Sequence, residues 1–165
     1  MAEQKPIFAF TTKSNAIAKR LNNEVIIKHD DKSIKVIALW DTGATGSCIS
    51  ADVVRKLSLI PTGKKNISTP AGISVVNTYL VDITLPNNVK INGIEVCDSE
   101  IGDQGLGALI GMDIINLGDF AVSNFDGKTT FSFRTPSVHE TDYVTQIKVQ
   151  NKIGTHGKGN RKRKK

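Results

Sequence analysis

Asp41 is the residue of this sequence best placed to do chemistry. It stands within residues 36–50, V-I-A-L-W-D-T-G-A-T-G-S-C-I-S, where one apolar run ends at Trp40 and another starts at Cys48 and Ile49. Between them lies a tight loop of small and polar side chains, Asp41-Thr42-Gly43-Ala44-Thr45-Gly46-Ser47. A carboxylate between two segments that read as buried costs free energy unless it is paired or hydrogen-bonded. Its placement therefore points to acid–base work; the alternative is an Asp that only satisfies its own loop backbone. Other residue types offer less. His29, His139 and His156 are scattered and support neither a triad nor a metal site. Cys48 and Cys97 make neither a disulfide framework nor a metal set, and each lies among apolar neighbours, where a buried free thiol is expected. No metal and no cofactor is expected.

The elements that must hold Asp41 read as β-structure. Strands are expected at residues 25–28 and 34–39 with a turn at 29–33, and both faces of the second are apolar, which predicts a buried strand. Trp40 is expected in core or dimer packing. Ser50 is placed to cap a short helix over residues 51–57, with Asp52 in its first turn, and Pro61 stops any continuation. Thr69-Pro70-Ala71-Gly72 reads as a type I turn at the tip of a hairpin, flanked by Ile67 and Ile73. A strand over 78–85 is broken at Pro86-Asn87-Asn88, and Asn92-Gly93 is a hairpin-turn signal within residues 89–96. Residues 102–107 form a flexible loop that leads into Leu109-Ile110-Gly111-Met112-Asp113. Asp113 is expected to cap residues 114–117 rather than to act in catalysis. A last hairpin over 120–133 turns at Asp126-Gly127, and residues 14–21 suggest a short helical turn. A strand, a Gly loop and a short helix thus occur twice, at 39–57 and 109–117, a weak internal duplication.

Charge is divided along the chain. Of 22 Lys and Arg, seven fall in residues 152–165, which hold none of the 16 Asp and Glu, so the first 151 residues carry a net charge of −1. The basicity belongs to a solvated tail from Lys158 to Lys165, a candidate contact for nucleic acid or an acidic partner or simply a solubilising end. No apolar run approaches the ~20 residues that span a bilayer, and the start lacks a secretion-signal layout. With two unpaired cysteines, a cytoplasmic protein without membrane attachment is expected.

Taken in order, Ala38-Leu39-Trp40-Asp41-Thr42-Gly43-Ala44, the hairpin tip at Pro70, Ala71 and Gly72, and Leu109-Ile110-Gly111-Met112-Asp113-Ile114-Ile115 resemble the retropepsins, the retroviral-type aspartic proteases and their cellular, bacterial and mobile-element relatives. The resemblance spans roughly residues 25–133. It implies an all-β, half-pepsin closed barrel with one or two short helices, active as a two-fold dimer. The implied organisation is an N-terminal extension over 1–23, a protease domain over 24–135 and a C-terminal segment over 136–165.

The activity implied is hydrolysis of peptide bonds in an extended peptide or protein substrate by two carboxylates sharing a proton across a water. This chain carries one Asp-Thr-Gly, and its second loop has Gly111 without a preceding acid, so the other carboxylate is expected from Asp41 of a second copy. By resemblance, Asp41 is the acid and base, Thr42 braces its counterpart across the dimer, and Gly43 donates an N–H to the carboxylate. Substrate contacts are implied for Ala44, Thr45, Pro70, Ala71, Gly72, Ile73 and Ile110. The chain departs from the retroviral pattern: Thr45-Gly46 replaces substrate-gripping acids, Met112 replaces an Arg, the hairpin tip lacks the Gly-rich retroviral sequence, and residues 1–24 form an N-terminal extension. Those departures keep open a peptide-binding or scaffolding dimer with little proteolysis. Two other resemblances fail. Residues 41–47 resemble the phosphate loop of actin-like and sugar kinases, but that fold needs about twice this length and a second loop. Gly105-Leu106-Gly107 lacks the spacing of a nucleotide loop.

Overall fold

In the computed structural model, which describes residues 6–69 and 72–157, strands form where burial alternates with period two. The elements in order are β1 (Phe8–Lys13), β2 (Asn22–His29), β3 (Lys32–Trp40), β4 (Cys48–Ser50), α1 (Ala51–Leu57), β5 (Gly63–Thr69), β6 (Gly72–Leu85), β7 (Val89–Ser99), β8 (Ala108–Ile110), α2 (Met112–Ile115), β9 (Asp119–Ser123), β10 (Thr130–Thr135) and α3 (Tyr143–Gly157). In β2, Asn23, Val25 and Ile27 are buried while Asn22, Glu24, Ile26 and Lys28 face out. The hairpin to β3 turns at Asp30, whose φ of 51° is a left-handed conformation that a short Asp side chain tolerates.

Six strands close a barrel in the order β2-β3-β8-β4-β7-β6, and β6 returns to β2 through Ile26↔Thr84, Ile27↔Ile83 and Lys28↔Asp82. Closure leaves those strands without free edges. The seventh strand, β5, pairs only with β6, from Gly63↔Thr78 to Thr69↔Gly72. That pairing makes an exposed hairpin arm where the sequence predicts one; its tip residues Pro70 and Ala71 lie outside the described residues. A second sheet, β1-β10-β9, packs on the barrel through Phe10, Trp40, Phe120, Phe131 and Phe133. Their ring centroids lie 5.1–6.1 Å apart, in tilted and edge-on pairs each worth about 0.5–1.5 kcal/mol beyond area burial. Trp40 is therefore core, and its indole N–H donates to Asn23 Oδ1 at 3.0 Å.

Several expectations are corrected. Residues 14–21 form no helix: Ser14 and Ala18 N–H groups donate to Thr129, which ties the segment to the β9–β10 turn as a loop. Strand β3 buries one face only, with Ile37 42% exposed, because no second layer covers the barrel there. Asn92-Gly93 is no hairpin turn. Strand β7 runs through it, and the pairs Val81↔Ile94 and Ile83↔Ile91 leave Asn92 and Gly93 opposite Asp82 alone. The extra residue makes a bulge, with Gly93 at φ 62° and its N–H donating to Asp82 Oδ1 at 2.7 Å. The strand expected over 78–85 is one end of the 14-residue β6. Helix α2 starts at Met112 behind Gly111, so Asp113 is not its cap.

Other readings hold. Ser50 caps α1, accepting from Val53 N–H at 3.4 Å, and the chain turns at Pro86-Asn87-Asn88 and at Asp126-Gly127. The pattern fades in sequence after Pro136, yet α3 forms behind Asp142, whose carboxylate accepts from the N–H groups of Val144 and Thr145. Among the described residues no helix is long and apolar enough to cross a membrane. The tail from Lys158 lies outside those residues.

Candidate active site

The site is built where the two duplicated elements meet. Strands β3 and β8 run parallel in the register Ala38↔Ala108, Leu39↔Leu109 and Trp40↔Ile110, so both following loops leave the barrel side by side. The backbone fixes the first residue of the loop: Asp41 N–H donates to the Ile110 carbonyl at 2.9 Å. Gly43 N–H then donates to Asp41 Oδ1 at 2.8 Å, a charge-assisted bond that orients the carboxylate. A Cβ on Gly43 would sit 3.1 Å from that oxygen, which is why the close approach suits glycine.

The loops also lock to each other. Met112 N–H donates to the Ala44 carbonyl at 2.8 Å, and a Cβ on Gly111 would fall 2.6 Å from the Gly46 backbone. Ser47 is buried and donates twice to the Asp113 carboxylate, from N–H at 2.8 Å and from Oγ at 2.7 Å. Its Oγ accepts from Gly111 N–H at 3.0 Å, and Ile114 N–H completes the Asp113 set at 2.9 Å. Asp113 is thus a latch between the loops. Sequence reading placed this acid at a helix end and did not pair it with Ser47, since nothing local links residues so far apart.

Asp41 is half-buried, while Thr42 and Thr45 are exposed and Ala44 is half-buried. Ile110 is fully buried, so its side chain belongs to the barrel core while its carbonyl anchors Asp41. Ile73, on the hairpin arm, is 78% exposed, and Gly72 has a φ of 122°. A cavity of about 450 Å³ reaches Asp41 from the side of β9, lined by Leu39, Arg20, Lys19, Val122 and Asn124 among others. Another of about 510 Å³ lies under the hairpin arm, between Ile67 and Val75 on one side and Ala51 and Glu100 on the other. On the outer face of the barrel wall beside Asp41, Leu39, Leu109, Cys48, Cys97, Leu106 and Ile101 pack into one apolar cluster. No group of three His, Cys, Asp or Glu among the described residues is arranged to hold a metal ion.

No protein-family model and no curated protein matches the chain. Solved structures do. A retropepsin-like aspartic protease from Rickettsia conorii superposes with a TM-score of 0.52 over 81% of this chain and 98% of that one, at 12% identity. The fold is retropepsin-like. The simian foamy virus protease (TM-score 0.42, 22% identity, 56% of this chain and 89% of that one) and the EIAV protease (0.44, 23%, 59% and 86%) are further matches. The retropepsin-like barrel of this chain thus has neighbours that are aspartic proteases. It carries its one Asp-Thr-Gly loop at the parallel crossing of β3 and β8.

Proposed function

We propose that this chain is an aspartic endopeptidase that works as a homodimer, with Asp41 of each copy forming the catalytic pair. The observation that carries this reading is the Asp41 loop itself: a half-buried carboxylate held by Gly43 N–H on a loop anchored at both ends. A single copy supplies one such acid, and peptide hydrolysis by this chemistry needs two.

With two carboxylates side by side, repulsion keeps one proton on the pair. The unprotonated acid takes a proton from a water, whose oxygen attacks the peptide carbonyl carbon. The protonated acid gives its proton to the carbonyl oxygen, leaving a tetrahedral gem-diol. Return of a proton to the amide nitrogen breaks the C–N bond and releases carboxylic acid and amine. No covalent intermediate and no cofactor takes part. Thr42 braces its counterpart across the two-fold axis. Ala44 and Thr45 flank the bound peptide, and the β5–β6 hairpin, with Pro70, Ala71, Gly72 and Ile73 at its end, closes over an extended strand.

The test is cleavage of a diverse peptide library from mildly acid to neutral pH, with Asp41→Asn beside wild type. Cuts made by wild type alone, with both proteins giving the same circular dichroism, are the expected result. Equal cutting by both would remove Asp41 from the chemistry. A folded wild-type dimer that cuts nothing would transfer the assignment to a peptide-binding module.

A further inference from the structure

Cys48 and Cys97 are register partners in the parallel pair β4–β7. Neighbouring strands lie about 4.8 Å apart, and register partners of a parallel pair project from the same face. That separation falls inside the roughly 4.4–6.8 Å between Cα atoms that a disulfide spans. Both thiols are free. The rest of their cluster is Leu39, Leu109, Leu106 and Ile101, all aliphatic. The sequence contains no third cysteine to compete for either.

We propose that Cys48 and Cys97 form an oxidisable dithiol that a peroxide closes to an intrachain disulfide, a modification site in the apolar wall beside the Asp41 loop. The two sulfurs have different roles. Cys97 is half-buried and within reach of small solutes, while Cys48 is 7% exposed. Hydrogen bonding from the Cys48 thiol favours the Cys97 thiolate and holds Cys97 at about 7, and the same contact, with burial, raises Cys48. Cys97 is therefore the attacking sulfur and Cys48 the resolving one. The Cys97 thiolate displaces hydroxide from hydrogen peroxide and becomes a sulfenic acid. The Cys48 sulfur then attacks the Cys97 sulfur, losing its proton as the sulfenic hydroxyl leaves as water. Two thiols are oxidised by two electrons, one peroxide is reduced to two waters, and a dithiol reductant reverses the change.

The site is mechanically linked to the catalytic loop. Cys97 backbone N–H donates to the Ser47 carbonyl at 3.2 Å, and its thiol lies 3.8 Å from the same oxygen. Ser47 is the residue that latches Asp113 and Gly111. Closing the disulfide withdraws the thiol from Ser47 and ties β4 covalently to β7. The modification stands apart from the peptidase reading; only its effect on turnover rests on that reading.

The experiment treats the full chain with hydrogen peroxide and maps it by mass spectrometry without reduction. The expected product is a monomer-mass species about 2 Da lighter, whose digest joins the Cys48 and Cys97 peptides. In Cys48→Ala, Cys97 is expected to stop at a sulfenic acid that dimedone traps. In Cys97→Ser, Cys48 is expected to stay reduced. A disulfide between two chains, or sulfinic acid on Cys97 of wild type with Cys48 intact, would overturn the proposal. Where wild type cleaves peptides, oxidation is expected to lower turnover at least about tenfold, as displacement of a catalytic loop does, with recovery in dithiothreitol. An oxidised but fully active enzyme would remove the link to Ser47 while leaving the chemistry of the pair in place.

Discussion

At the scale of single residues, the two acids of the site do opposite work. Among the described residues the Asp41 side chain accepts one hydrogen bond, from Gly43 N–H to Oδ1, an arrangement that suits the catalytic role proposed for it. Asp113 accepts from Ser47 N–H, Ser47 Oγ and Ile114 N–H, and these bonds hold the two loops together. Ser47→Ala tests that division. It removes the hydroxyl donor to Asp113 and the acceptor for Gly111 N–H at a site 2% exposed. Leaving buried partners unsatisfied is expected to cost about 2–3 kcal/mol, read as a lower urea midpoint, and to lower turnover with it. Asp41→Asn, by contrast, is expected to abolish turnover with a stability change below about 1 kcal/mol, since the near-isosteric amide keeps an oxygen acceptor for Gly43 N–H. The Asp-Thr-Gly loop was legible in the sequence because its signal is local: an apolar strand followed at once by Asp41, Thr42 and Gly43. The Ser47–Asp113 pair was not, because residues 66 apart in sequence meet only when β3 and β8 pair.

At the scale of elements, the sequence showed where strands lie better than how they connect. Asn92-Gly93 carries the chemistry of a two-residue turn, yet the flanking segments both pair with β6, and long-range pairing overrides the local preference. What remains of the signal is the left-handed Gly93. Gly93→Ala is expected to destabilise by about 1 kcal/mol, since an added Cβ is strained at φ 62° although it meets no neighbouring atom; equilibrium denaturation reads it. Strand β1 and helix α3 were missed for a different reason. Only Phe10 of β1 is buried, and α3 is exposed along residues 143–152, so neither shows an amphipathic period. At the start of β9, Asp119 takes hydrogen bonds from Ser137 Oγ and Val138 N–H and pairs with Arg134, which holds its carboxyl at about 2. A folded-state value below the usual 3.8 contributes stability above about pH 4, and that contribution is lost as pH falls toward 2. Wild type is therefore expected to exceed Asp119→Asn in thermal midpoint at pH 6, with the gap closing between pH 4 and 2.

At the scale of the whole molecule, the barrel is complete in one copy, whereas the proposed catalysis draws its second carboxylate from another copy. The second sheet is the face that the proposed dimer would use. Among the described residues β9 pairs only with β10 and no strand lies on its other edge, and Val122, 39% exposed, lines the cavity that reaches Asp41. The dimer proposed above would pair that edge with its own copy across a two-fold axis, with the two Asp41 loops facing each other. Val122→Asp places a charge on β9, beside the cavity that Val122 shares with Leu39 and Asp41. It is expected to keep the circular dichroism of wild type, sediment as a monomer where wild type sediments as a dimer, and lose peptide cleavage. For wild type, specific activity is expected to fall on dilution in step with the dimer fraction. Retention of the dimer by Val122→Asp would place the interface elsewhere on the surface. Cleavage by a wild-type monomer, undiminished by dilution, would exclude the shared pair, since one chain offers only one Asp-Thr-Gly to the water.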